Sequence, residues 1–255
     1  GRLGELTLRG AEQHQQIARR MYERFPEVFR RTTNIDAKSS TVVRCILSME
    51  NALHQLIRIN PQLQVTHDAS EHDMPYLVYG DTALYKNKMP GKVKDIYDAF
   101  ARKHDNHVGV MNRIFNDELY WRDSVNATDF NYQLYNLACN VQSTELRHQI
   151  SLLPLFTHDE LYDAWLKTNA WWYINYGPSP LNGAVQPYSQ RLLLRRIITE
   201  ADSCMALSHP GATLRYGHDT MVMPLVCLLG IDGYDKEVED LELLDDENWL
   251  DYRIF

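Results

Sequence analysis

From Thr7 onward, His14, Ile17, Ala18, Met21, Tyr22 and Phe25 recur at the spacing of one helical face, and Thr7 is placed to cap that helix. Pro26 interrupts the pattern. The stretch TTNIDAKSS predicts a short strand around Ile35 followed by a loop. Ser39 or Ser40 is then placed to cap a second helix, whose apolar stripe is Val42, Ile46, Met49, Leu53 and Leu56 with Ile57. Asn60-Pro61 ends it, because the residue before a proline is pushed out of the helical region. LQVTHD predicts a second strand.

From Val93 to about Tyr176 the pattern turns largely helical and aromatic. Thr157-His158-Asp159-Glu160 reads as a capping box, opening a helix that carries Leu161, Ala164, Trp165 and Trp172 and stops at Gly177-Pro178. YGPSPLNGAVQPYS is rich in turn residues and marks a boundary. A further helix carries Leu193, Leu194, Ile197, Ile198, Ala201 and Met205. The alternating run Thr213–Tyr216 then predicts a strand, followed by His218-Asp219-Thr220 and an apolar helix. This order predicts an α/β core interrupted by a helical insertion: residues 1–90 and 186–255 as core, 91–185 as inserted cap.

Composition narrows the function classes. The 255 residues are 44% hydrophobic with a net charge of −8, which suits a globular core and argues against general nucleic-acid binding. No apolar run is long enough to span a bilayer. Cys45, Cys139, Cys204 and Cys227 form no CxxC pair and no zinc spacing. There is no initiator Met, and both ends, the last being WLDYRIF at the start of an expected strand, read as cut. No phosphate-binding loop, nucleophile elbow, zinc-protease or dinucleotide motif is present.

Two places carry candidate chemistry. His218-Asp219 sits at the carboxyl end of an expected strand, where open α/β sheets bind ligands. The local pattern admits another account, in which Asp219 or Thr220 caps a helix beginning at Met221 and His218 is a bystander. Arg44 lies in the first turns of its helix, aligned with Ser48, Asn51 and Gln55. A guanidinium beside free backbone N–H groups suits a phosphate, and a solvent-facing arginine fits the same pattern. HDASEHD holds metal-ligand residue types without a ligand spacing and reads as a polar loop. His104 and His107 read as facing water.

Taken in order, three segments resemble the histidine phosphatase superfamily in its acid phosphatase and phytase branch. GELTLRGAEQHQQIARRM resembles the family's LTxxGxxQ segment, STVVRCILSMENAL the helix that delivers a phosphate-binding arginine, here Arg44, and YGHDTMVMPL the second histidine motif. NYGPSPLNGAVQPYSQ is most similar to bacterial members near the multiple inositol-polyphosphate phosphatases, which usually carry His-Ala-Glu where this chain has His218-Asp219-Thr220. The resemblance implies a three-layer α/β core with a mostly parallel, phosphoglycerate-mutase-like sheet and a helical cap. The family's Arg-His-Gly motif is absent here, since Arg147-His148 is followed by Gln149, and the expectation is that it lies upstream on a missing N-terminal strand.

The resemblance also implies a chemistry: metal-independent phosphomonoester hydrolysis through a phosphohistidine, with no cofactor and with inositol polyphosphates or other organic phosphates as substrate. Arg44 and His218 would hold phosphoryl oxygens, and Asp219 would protonate the leaving oxygen and later deprotonate water. A phosphate dianion beside the carboxyl would favour its acid form by like-charge repulsion, so an acidic optimum is expected. Family resemblance further implies a periplasmic or secreted protein acting on a small phosphorylated partner. The alternative is a phosphoryl-ligand binding module on the same fold without a nucleophile.

Overall fold

The computed structural model describes residues 4–79, 82–86 and 88–244. Its main elements are α1 (Leu8–Arg24), β1 (Asn34–Ser39), α2 (Val43–Ile59), β2 (Gln64–Ala69), α3 (Gly91–Lys103), α4 (Val108–Ile114), α5 (Glu118–Ser124), α6 (Ala127–Asn140), α7 (His158–Tyr176), α8 (Arg191–Met205), β3 (Gly211–Tyr216) and α9 (Asp219–Leu228). The strand expected at WLDYRIF lies outside the described residues. Among the described residues no helix is long and apolar enough to cross a membrane.

Contacts divide the chain into two units: Gly1–Lys86 with Pro187–Ile231, and Asn87–Gln186 with Asp232–Phe255. The sequence reading keeps 186–255 together in the core. The observed grouping instead puts Asp232–Phe255 with the helical residues, where Glu242 bonds to Lys103 and His104.

The first unit is built on a parallel sheet of order β2-β1-β3. β1 is the central strand, paired with β2 from Asn34↔Gln64 to Ser39↔Ala69 and with β3 from Asn34↔Gly211 to Ser39↔Tyr216. Alternation sets the two faces. Ile35 and Ala37, with Val65, Ala212, Leu214 and Tyr216, pack under α1 and α2, where Ala18, Met49, Ala52, Leu53 and Leu56 close the core. The opposite face is polar. There Arg215 pairs with Glu200 of α8, which also holds Arg196 at 2.6 Å, and Lys38 meets Asp73 at 3.6 Å. α1 begins as its sequence implies, with Thr7 Oγ1 accepting from the Gly10 amide at 2.9 Å. It braces α2 through Gln15 Nε2, which donates to Asn51 Oδ1 at 2.9 Å.

The start of α2 corrects the sequence reading. Neither Ser39 nor Ser40 caps it; Val42 is the N-cap residue and makes no side-chain cap bond. Ser39 is the last residue of β1, and the Ser40 amide donates to Tyr216 O at 3.0 Å, which extends the strand pairing and removes both serines from capping. The polar residues aligned with Arg44 are partly turned inward: Ser48 and Gln55 are buried, and Ser48 Oγ donates to Arg44 O at 2.8 Å.

In the second unit the capping box forms as expected: Thr157 N donates to Glu160 Oε2 at 2.7 Å and Glu160 N to Thr157 Oγ1 at 3.3 Å. Glu160 is also buried against Arg113 of α4, and Gly109 has no room for a Cβ beside that carboxylate. His104 and His107 do not face water. The His104 side chain is 12% exposed, with Nδ1 at 3.0 Å from Asp163 and Nε2 at 3.1 Å from Glu242, and His107 lies at 3.1 Å from Asp105. The acidic neighbours of His104 come from α7 and from Leu241–Leu243, far away in sequence, so no local pattern announces them.

Leu56 is fully buried between α1, α2 and the sheet. Leu56→Ala should cost about 2–5 kcal/mol of unfolding free energy, from lost transfer energy and the cavity left behind. Urea unfolding should show the midpoint falling with little change in slope; a loss under about 1 kcal/mol would mean that this core does not hold the sheet.

Candidate active site

The site is made where two parallel strands end side by side. Because Ser39 pairs with Tyr216, the segments that leave β1 and β3 start from neighbouring points and run in the same direction. The first segment leads into α2 and carries Arg44 in its opening turn. The second passes Gly217 and leads into α9, with His218 as N-cap residue in extended conformation (φ −117°, ψ 156°) and Asp219 as the first helical residue. The helix thus begins two residues before the Met221 start that the sequence suggests, because the amides of Met221 and Val222 both reach His218 O, at 3.0 and 3.1 Å.

Of the predicted residues, Arg44 and His218 are brought together: Arg44 Nη2 stands 3.4 Å from His218 Nδ1, across 174 residues of chain. A guanidinium can only donate, so this contact requires an unprotonated Nδ1. Burial, and then the Arg44 charge, push the His218 pKa below the usual imidazole value, with Asp219 pulling the other way. Asp219 is exposed and next in sequence, and its Oδ1 accepts from the Thr220 amide at 2.8 Å. Lys38 is drawn to Asp73. HDASEHD is not a loop: residues 67–69 end β2 and Glu71–Asp73 form a 3-10 turn, supplying that Asp73 and a contact of 2.7 Å between His67 and Glu50; among the described residues no cluster of three or more His, Cys, Asp or Glu could hold a metal ion.

Two features were not legible in the sequence. Cys45, next to Arg44 and 4% exposed, donates its S–H to Gly217 O at 3.2 Å and lies 3.7 Å from Nε2 and 3.9 Å from Nδ1 of His218. Gly217 is forced to be glycine by close approach: a Cβ there would stand 2.9 Å from Leu77 O. The Gly217–His218 peptide is therefore held from two sides. A glycine between strand and histidine is the one local signal that could have pointed to this clamp.

Charge can be read from the same geometry. The N-cap residues of α2 and α9, Val42 and His218, make no side-chain cap bond, and the Thr220 amide is taken by Asp219, so what the corner offers is the positive ends of two helix dipoles. Together with Arg44 they favour an anion. A cavity of about 410 Å³ also borders His218, walled largely by Leu77, Leu193, Ile197, Met221, Val222 and Leu225, and Arg44 is not in its lining. Glu200, Thr213 and Arg215 also line that cavity, which opens on the side of His218 away from the Arg44 contact.

The sequence profile of the Histidine phosphatase superfamily (branch 2) matches residues 1–253. No curated protein sequence matches the chain. Among solved structures, the Bifidobacterium longum multiple inositol polyphosphate phosphatase in complex with inositol hexasulfate superposes with a TM-score of 0.67 at 17% identity, covering 92% of this chain and 65% of that one. Its phosphate complex gives 0.69 at 17%, with 92% and 64% covered. The phytase from D. castellii gives 0.55 at 11%, with 87% and 46% covered. These likenesses show the fold, and the chain spans less than two thirds of the length of those proteins.

Nitrogen-15 NMR of the imidazole should show His218 titrating below the ordinary histidine midpoint, as the unprotonated Nδ1 requires. Arg44→Ala should raise that midpoint only part of the way, since burial is the larger cause and remains. The linked contribution to stability is then present above the unfolded-state value and lost as pH falls. A midpoint at or above the ordinary value would contradict the geometry.

Proposed function

Because the chain belongs to the histidine phosphatase superfamily, branch 2, we propose that the Arg44–His218 corner is the phosphoryl-holding half of a metal-independent phosphomonoesterase site, with inositol polyphosphates as the substrate class. The observation that carries this reading is the 3.4 Å approach of Arg44 Nη2 to His218 Nδ1, made at two helix N-termini by residues 174 apart. The neighbouring solved structures, one with inositol hexasulfate and one with phosphate, support the substrate class.

In this reading a phosphate dianion displaces the direct Arg44–His218 contact. His218 takes up a proton as the anion arrives, since the anion favours the imidazolium that Arg44 alone disfavours. Arg44 and His218 then each hold a phosphoryl oxygen and stabilise the charge spread over them in a loose transition state. The attacking group is a histidine of an Arg-His-Gly motif that these residues do not contain. β3 pairs with β1 along one edge, and its other edge is open among the described residues. A parallel strand added there would end beside His218.

The chemistry balances in two steps. Attack by the histidine nitrogen forms a P–N bond and breaks the bond from phosphorus to the leaving oxygen, which receives the Asp219 proton. Water then attacks phosphorus, gives its proton to Asp219, and releases phosphate and the histidine.

Isothermal titration with orthophosphate near pH 5.5 should show binding, and Arg44→Ala should weaken it about 10- to 100-fold, the worth of a charge-assisted pair. Affinity should rise as pH falls through the His218 titration. In a protein that also carries the attacking histidine, Asp219→Asn should slow hydrolysis of alkyl phosphates far more than of p-nitrophenyl phosphate, whose leaving group needs little acid help. Equal losses would remove Asp219 from the acid role. Phosphate binding without any hydrolysis would leave a phosphoryl-ligand binding module.

A further inference from the structure

The Cys45 thiol has a place in the site that no motif gives it. It sits one residue after Arg44, so the two side chains leave α2 about 100° apart, Arg44 outward to solvent and Cys45 inward. Its sulfur touches two different parts of the opposite segment: the Gly217 carbonyl, at 3.2 Å, and the His218 ring, at 3.7 and 3.9 Å from the two nitrogens. Those nearly equal ring distances place the sulfur between the nitrogens rather than in line with either. With the S–H directed to Gly217 O, the sulfur fixes where the ring sits without taking a nitrogen's hydrogen-bonding role. Nδ1 is left to Arg44, and Nε2 is left open on its other side.

We infer that Cys45 is a positioning residue for His218: it locks the imidazole in the orientation in which Arg44 and the ring can grip one phosphoryl group together. The inference rests on the phosphoryl-site reading above for what the ring holds, but the lock itself is a property of the ligand-free fold. A buried apolar side chain would fill the same space, so the function requires more than volume. A small sulfur with one weak proton meets three conditions at once. It satisfies the Gly217 carbonyl, it packs closely on the ring, and it adds no charge beside an imidazole that must change its own. The clamp is completed from the far side, where Leu77 O stands against Gly217. Arg44 cannot serve as its own guide, because it is exposed and free to follow a ligand.

The variants Cys45→Ala, Cys45→Ser and Cys45→Val test this, with the His218 nitrogen-15 spectrum, orthophosphate affinity and thermal unfolding as readouts. Cys45→Ala and Cys45→Val should shift the His218 tautomer balance and titration midpoint and weaken orthophosphate binding about three- to tenfold, the worth of one hydrogen bond. Cys45→Ser retains the donation to Gly217 O and should recover most of both. If Cys45→Ala and Cys45→Val unfold earlier but leave the His218 spectrum and phosphate affinity unchanged, the thiol is only core filling and the inference falls. It falls equally if Cys45→Ser behaves like Cys45→Ala in the spectrum. If the unsubstituted chain binds no orthophosphate, the phosphoryl-site reading fails on its own, and the ligand-free spectra still decide whether Cys45 sets the ring. Should Cys45→Ala not fold, the comparison of Cys45→Ser with Cys45→Val carries the test.

Discussion

Everything at the candidate site depends on the register between β1 and β3. Ser39 lies opposite Tyr216, and one further bond, from the Ser40 amide to Tyr216 O at 3.0 Å, carries the pairing past the end of the strand. That bond fixes where the chain turns away into α2 and so where Arg44 starts. A slip of one residue would shift one loop against the other by about 3.3 Å and exchange the faces of the strand. The apolar face under α1 and α2 forbids it, because Ala212, Leu214 and Tyr216 would then meet the polar layer of Arg196, Glu200 and Lys38. The hydrophobic core thus sets the chemistry at one remove, by permitting a single pairing.

The electrostatic design follows from the same corner. Two helix N-termini and a guanidinium crowd one place, and together with burial they disfavour the charged form of the His218 imidazole. Asp219, held at the rim by its bond to the Thr220 amide, offers the one carboxylate next to the imidazole in sequence without occupying the place of the anion.

Much of this was legible in the sequence, and for a physical reason. Periodicity located α1, α2, the strands and the capping box at Thr157 because each reflects burial on a nearby face. The segments around Arg44 and His218 were readable as neighbours because both follow strands that end side by side. What stayed hidden depends on partners distant in the chain. Ser39 and Ser40 have the composition of caps, but strand pairing with Tyr216 claims them first. Cys45 has no local signature, since its role exists only when Gly217 lies across from it. His104 looks like a surface residue until Asp163 and Glu242 enclose it. Glu160 is visible as half of a capping box but not as the buried partner of Arg113.

The helical residues Asn87–Gln186 lie within the 174-residue span that separates Arg44 from His218 and make up more than half of it. The entropy lost in closing that span grows only with the logarithm of its length, so doubling it costs about 0.6 kcal/mol. Enlarging or shrinking the inserted unit therefore changes the free energy of assembling the corner by less than the loss of one buried methyl-sized contact. The penalty falls on time instead, because β1 can pair early with the nearby β2 but must wait for a distant β3 before the three-stranded sheet is complete. The size of this insertion can then vary almost independently of the Arg44–His218 corner, limited by how fast the chain can fold.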